Sequence, residues 1–298
     1  MDHGKVSEVA INFTNYCNRH CRDCFRPFPK AKAFLAVGPD GKFDAGVVRN
    51  LQSAIGRETN VIITGGGEPT LHPHFHELVK GICSGGKRPQ EIQIVTNGTP
   101  FLTEESSREF LSKLKEAVPK RTLFSVSMSV DDNHARGTLG EYGKEGKWPE
   151  LIAMARNFHH VANQLDVAHA FNCTLAKGQK SKGYDRTIRK AIGLPMQEGK
   201  VFYAFDVNEI VEGLPKRKTP LSSLPAAVRK SVKKIIAGDE QVSRHCVDAT
   251  GEVYHSEPSY LFQNYGIEDL GKPIGSVASE PLADIVERHQ SMHQKRAR

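Results

Sequence analysis

Three cysteines fall within eight residues, in the run Cys17-Asn18-Arg19-His20-Cys21-Arg22-Asp23-Cys24. The spacing Cys-x3-Cys-x2-Cys on one short loop lets three thiolates converge on a common centre. A structural zinc site takes four protein ligands, often as two Cys-x2-Cys pairs. A four-iron cluster held by three thiolates leaves one iron open to a small molecule. The triad therefore reads first as an iron–sulfur site. The alternative is a non-catalytic zinc module, with the site completed by His20 or a distant residue. The remaining cysteines, Cys83, Cys173 and Cys246, stand alone. A disulfide framework belongs to short secreted chains, and this one has 298 residues.

Further polar groups stand at the ends of short apolar runs. Gly65-Gly66-Gly67-Glu68 follows Val61-Ile62-Ile63-Thr64, and three glycines let the backbone approach a ligand without side-chain clash. Asn97-Gly98 stops the run Ile92-Gln93-Ile94-Val95 and reads equally as a ligand contact or as turn chemistry. Ser125, Ser127 and Ser129 alternate with Val126, Met128 and Val130, a period of two that places the hydroxyls on one strand face. Asp131 comes just after them. His72, His74 and His76 also alternate, but Pro73 interrupts them, so they read as helix-entry residues rather than metal ligands.

The elements that must position these groups follow one rhythm up to residue 206. Strands are expected at Val9–Phe13, Val61–Thr64, Ile92–Val95, Leu123–Val130, Val167–Leu175 and Val201–Phe205. Helices are expected at Ala45–Ile55, Phe75–Cys83, Glu104–Ala117, Trp148–Leu165 and Asp185–Ile192, with Thr103 as an N-cap. Strands separated by helices imply parallel pairing with crossover connections. Six strands in this rhythm fall short of the eight that close a barrel. The expected fold is thus α/β, a partial (β/α)6 TIM-like barrel over residues 1–206 with a C-terminal cap extension over residues 207–298. In that extension Lys216–Pro220 reads as a linker, Pro225–Ala237 as a basic helix, Val242–Tyr254 as a hairpin and Pro281–Gln290 as a last helix. Sites in such folds gather at the carboxyl ends of the strands, which is where the cysteines, glycines, Asn97 and Asp131 fall.

On these residues the chain resembles the radical S-adenosylmethionine (radical SAM) superfamily. Its hallmark is the same cysteine triad after the first strand of a partial barrel, with a Gly-Gly-Glu segment after the second and a Ser-x-Asp segment after the fourth. The resemblance spans residues 7–206. It implies that Cys17, Cys21 and Cys24 ligate a [4Fe–4S] cluster whose open iron takes the methionine part of SAM. It implies SAM contacts from Gly65, Gly66, Gly67 and Glu68 to the ammonium group, and from Ser127, Ser129, Asp131 and Asn97, with Asn172 as a weaker candidate. The family often carries an aromatic residue just before the third cysteine. Here that position is Asp23, and Phe25 stands just after Cys24, so Phe25 or a later strand would pack the adenine. The resemblance further implies an electron donor such as flavodoxin or ferredoxin.

The substrate is open. One reading is a redox-neutral epimerisation of a sugar or peptide in which Cys246 donates a hydrogen atom. The other is a dehydrogenase or dehydratase acting on an anionic small molecule such as a nucleotide. Cys246 also reads as a small buried hydrophobe. Three scattered cysteines argue for one cluster rather than two. The formal charge of +7 permits an anionic partner, yet the basic stretch Lys216–Lys234 lacks interleaved aromatics, which argues against nucleic acid. No apolar run is long enough to span a bilayer, and Met1–Phe13 lacks the pattern of a secretory signal, so a cytoplasmic enzyme is expected.

Overall fold

The computed structural model describes residues 6–19, 21, 32–64, 66–85, 88–137, 147–174, 181–194, 201–204, 244–254 and 273–296. The strands are β1 (Glu8–Asn12), β2 (Asn60–Thr64), β3 (Glu91–Thr96), β4 (Leu123–Ser129), β5 (Ala168–Thr174), β6 (Val201–Ala204), β7 (Arg244–Val247), β8 (Glu252–Tyr254) and β9 (Gly275–Ser276). The helices are α1 (Ala45–Gln52), α2 (Phe75–Cys83), α3 (Glu104–Ala117), α4 (Asp132–Arg136), α5 (Trp148–Gln164), α6 (Ser181–Ile192) and α7 (Leu282–Arg296). The strands form one sheet in the order β6-β5-β4-β3-β2-β1-β7-β8-β9. Strands β1 to β7 pair in parallel, and β8 and β9 add antiparallel. The sheet does not close on itself, as expected for a partial barrel.

Burial decides which strand is central. In β1 the last four residues are all buried, the pattern of a strand covered on both faces and flanked on both sides. Its second neighbour is β7, in register from Glu8 opposite Arg244 to Ile11 opposite Val247. The described part of the C-terminal extension therefore lengthens the wall of the barrel at the β1 edge. The expected hairpin is present as β7 and β8, turning at Gly251, whose φ of 87° favours glycine. The expected linker at 216–220 and helix at 225–237 lie outside the described residues.

The two faces of the sheet differ in kind. Val9, Ile11, Val61, Ile63, Ile92, Ile94, Val126 and Met128 are fully buried in one apolar core with the helices. On that side α1 packs on α2, α2 on α3, α3 on α5, α5 on α6, and α7 on α1. The opposite, concave face follows from the register: Cys246 lies opposite Ala10, Ala10 opposite Ile62, Ile62 opposite Gln93, and Gln93 opposite Ser125. The serines of β4 therefore line the interior, as their period of two predicts.

The segment 32–44, which shows no strand or helix period in its sequence, is held by isolated bridges. Its bridges Thr14 to Phe34 and Val37 to Phe43 close it over Phe13. His72 is held there: its Nε2 meets the Leu35 carbonyl at 2.8 Å, and its Nδ1 accepts from the His74 amide at 3.0 Å. These bonds fix the neutral tautomer with the proton on Nε2. With both ring nitrogens taken by the protein, His72 is a packed structural residue, and burial pulls it down to about 4.

If α7 belongs to the wall, its core side chains should matter as much as those of the barrel. Ile285 is fully buried in the main core. Ile285→Ala should cost about 2–5 kcal/mol and shift a single urea unfolding transition. An unchanged midpoint, or a separate early transition for the C-terminal segment, would show that α7 is only loosely attached.

Candidate active site

The loops after β1, β2, β3 and β4 meet at the carboxyl ends of the strands. The centre of the meeting is Glu68, only 2 % exposed. Its Oε1 accepts from the Thr70 hydroxyl and the Thr96 hydroxyl, each at 2.6 Å, and from the Thr70 amide at 3.2 Å. Its Oε2 accepts from the Asn97 amide at 2.6 Å. Burial pushes this carboxyl above the usual range, and the four donors pull against that shift. Glu68 thus caps the 3-10 turn Pro69–Leu71 and clamps it to the end of β3. The resemblance implies that this carboxylate accepts from a ligand's ammonium, and its partners among the described residues are the protein donors above.

The glycine before it explains the second junction. A Cβ on Gly67 would overlap the Tyr16 carbonyl, and the Glu68 amide donates to that same carbonyl at 2.8 Å. Gly67 is therefore glycine because it lies against the backbone that leads into Cys17. Gly66 is half-buried beside it, and Gly65 lies outside the described residues.

Asn97 makes the third junction. Its Nδ2 donates to Cys17 Sγ at 3.6 Å and to Asn18 Oδ1 at 3.1 Å, and its Oδ1 accepts from Thr99. Asn18 returns a bond to the Thr99 hydroxyl at 3.1 Å. Asn97 is therefore a neighbour of the first cysteine as well as a turn residue, and Gly98, with φ of 90°, completes that turn.

The fourth junction comes from β4. Asp131 is buried and accepts from the His134 amide and from His134 Nδ1, both at 2.8 Å, which caps the short α4. The following Gly137 backs onto the second cysteine: a Cβ there would stand 2.8 Å from the Cys21 amide nitrogen. Arg19, only 4 % exposed, reaches across to the His134 carbonyl at 2.8 Å. Burial pulls its guanidinium down from its ordinary value, while Cys21, Glu68, Cys17 and Asp131 hold it up. Asn18, Arg19 and Thr99 carry no role that their sequence positions announce. An isolated arginine reads as a solvated side chain, and nothing local marks it as buried.

The concave face supplies the chamber below. Ser127 is 1 % exposed and its Oγ finds no partner among the described residues. Buried hydroxyls are ordinarily paired, so this orphan fits a bound polar group. Ser129 and Asn172 lie opposite each other on the same face and are half-buried. Cys246 is fully buried, with Ala10 and Tyr254 against it and Asn12 Nδ2 at 3.7 Å. It sits level with Ala10, two residues deeper than Asn12, so it faces the chamber from within rather than from the rim.

The other lone cysteines are elsewhere. Cys83 belongs to the helix-side core, and burial pushes its thiol up to about 12. Cys173 alternates with Asn172 and so faces the helices, where its Sγ meets the Val130 carbonyl at 2.9 Å. Cys83, Cys173 and Cys246 therefore cannot converge on a second cluster. Among the described residues no group of three or more His, Cys, Asp or Glu side chains is placed to hold a metal. Of the triad, Cys17 and Cys21 are half-buried on the β1 loop, while Cys24, Asp23 and Phe25 lie outside the described residues. The amides on Cys17 Sγ, from Arg19 at 3.4 Å and Asn97, suit a thiolate that ligates a metal cluster.

The model of the radical SAM superfamily matches residues 11–181, more than half of the chain. The chain belongs to the radical SAM superfamily. It is therefore an enzyme whose cofactors are a [4Fe–4S] cluster and SAM, and the zinc-module alternative falls away. Its sequence matches no curated protein. Among solved structures it resembles native anSMEcpe with bound AdoMet and Kp18Cys peptide, at 14 % identity and a TM-score of 0.53, over 95 % of this chain and 82 % of that one. It also resembles BtrN in complex with AdoMet and 2-DOIA, at 16 % identity and a TM-score of 0.44, over 94 % and 82 % of the two chains. The likeness to anSMEcpe shows the fold alone. Among the described residues no helix is long and apolar enough to cross a membrane.

If Gly67 is required by its contact with the Tyr16 backbone, any side chain there must displace the cysteine loop. Gly67→Ala should cost about 1–3 kcal/mol of stability. It should also lower the iron bound after anaerobic reconstitution while the far-ultraviolet circular dichroism stays that of a folded barrel. Iron content and urea midpoint both equal to wild type would contradict this role.

Proposed function

We propose that Cys17, Cys21 and Cys24 are the cluster's ligands, and that the enzyme removes a hydrogen atom from an unactivated carbon of a small-molecule or peptide substrate. When bound, the cluster and SAM supply an organic radical by one-electron cleavage of the sulfonium. The residues of the chain bind and orient. Gly66 and its neighbouring backbone offer carbonyls to an ammonium group. Glu68 holds that backbone in place from behind. Ser127 and Ser129 offer hydroxyls from β4 to a ribose or a carboxylate, with Asn172 opposite Ser129. Asp131 fixes the turn that ends in Gly137 and so supports Cys21. Phe25 remains the residue proposed to pack the adenine, and an iron–sulfur or flavin protein is proposed as the electron donor.

The reaction proposed is redox-neutral, with Cys246 as the hydrogen donor. The observation that carries it is placement: outside the triad, Cys246 is the thiol on the concave face, whereas Cys83 and Cys173 face the helices. The S–H bond breaks, a C–H bond forms on the substrate radical, and a thiyl radical remains on Cys246. One electron from the external donor and one proton from solvent restore the thiol.

In heavy water the exchanged thiol should deliver one deuterium to the reacting carbon. Cys246→Ala should still form 5′-deoxyadenosine from SAM, but should yield no product or an oxidised one. Formation of the wild-type product at the wild-type rate by Cys246→Ala would make the residue a packing element. It would then favour the dehydrogenase or dehydratase alternative.

A further inference from the structure

Arg19 stands between the first two cysteines of the triad and is 4 % exposed, an unusual place for a cation. Buried guanidinium groups ordinarily pair with a carboxylate. The acceptors of Arg19 are instead neutral: the His134 carbonyl at 2.8 Å and the Met154 sulfur at 3.7 Å. Its Nε has no partner among the described residues. The nearby carboxylates are engaged elsewhere, Glu68 by four donors and Asp131 by His134. Cys21 and Cys17 act on this charge electrostatically, and the Arg19 backbone amide donates to Cys17 Sγ at 3.4 Å. An arginine keeps its proton in proteins, so the charge is permanent.

We propose that Arg19 is a fixed counter-charge to the thiolates of Cys17 and Cys21 and holds the reduction potential of the cluster up. The inference rests on the reading of the triad as cluster ligands. Reduction adds one negative charge to a site already carrying thiolates. A cation held out of water nearby stabilises the reduced state more than the oxidised one. Its geometry suits a permanent role: the head is tethered to α4 and α5 by His134 and Met154, behind the loop rather than in the chamber. Arg19 touches no reacting atom and is a positioning residue in the electrostatic sense.

The test is a redox titration, followed by electron paramagnetic resonance, of the full chain reconstituted anaerobically. It compares wild type with Arg19→Lys, Arg19→Gln and Arg19→Met. Removing the charge should make reduction at least tenfold less favourable, which lowers the potential by about 59 mV for one electron. Arg19→Lys should stay within about threefold of wild type in the same equilibrium. Neutral variants at the wild-type potential would overturn the proposal, as would Arg19→Lys falling as far as Arg19→Gln. If both neutral variants lose the cluster and Arg19→Lys keeps it, charge is what the site requires and the proposal stands. Loss of the cluster from all three would show a packing role and overturn it. A wild-type chain that assembles no cluster would instead refute the ligand reading on which the inference depends.

Discussion

A carboxylate that is almost wholly removed from water must be satisfied by the protein around it. For Glu68 that demand is met by Thr70, Thr96 and Asn97, so the turn after β2 cannot move without the end of β3. Leaving any of these buried partners unpaired costs about 1–3 kcal/mol, so the four bonds hold the short loop in place. Gly67 then passes the constraint to β1 through Tyr16, and Asn97 passes it to Cys17 and Asn18. From the β4 side, the His134 carbonyl takes Arg19 and Gly137 backs onto Cys21, which closes the ring onto the same cysteine loop. The loop that must present thiolates is thus held from three neighbouring strands.

The two faces of the sheet divide the work. The convex face is apolar and packs the helices, which provides the stability of the barrel. The concave face carries Asn12, Thr64, Gln93, Ser125, Ser127, Ser129 and Asn172, side chains that can meet a polar ligand. This division also decides the fate of the lone cysteines. Alternation along a strand sends Cys173 to one face, while the pairing of Cys246 with Ala10 sends it to the other. Spacing in the sequence alone could not separate them, because face depends on register between strands far apart in the chain.

Much of the barrel was legible in advance because its signals are local. The β-branched runs at 61–64 and 92–95, the period of two at 123–129 and the cap at Thr103 each specify their own element. The triad was legible because three thiols in eight residues are close enough along the chain to share one metal centre, whatever the rest of the fold does. What escaped were relations between distant residues. The pairing of β7 with β1 spans more than two hundred positions, and only the continuous burial of β1 hints that a second neighbour is needed. Glu68 was legible as important but not as a clamp, since its donors come from Thr96 and Asn97 as well as from its own turn. Arg19 gave no local signal, because a charge looks solvated until the opposing loop is in place, and the contact of Gly137 with Cys21 depends on that same loop.

The central claim is that this gathered loop holds one cluster with an iron open to SAM. Anaerobic reconstitution of the full chain, with iron counting and an assay for 5′-deoxyadenosine under reducing conditions, tests it most directly. The account predicts a brown protein with about four irons per chain that cleaves SAM, and neither property when Cys17, Cys21 and Cys24 are all replaced by alanine. A colourless protein that holds zinc tightly and forms no 5′-deoxyadenosine would contradict it.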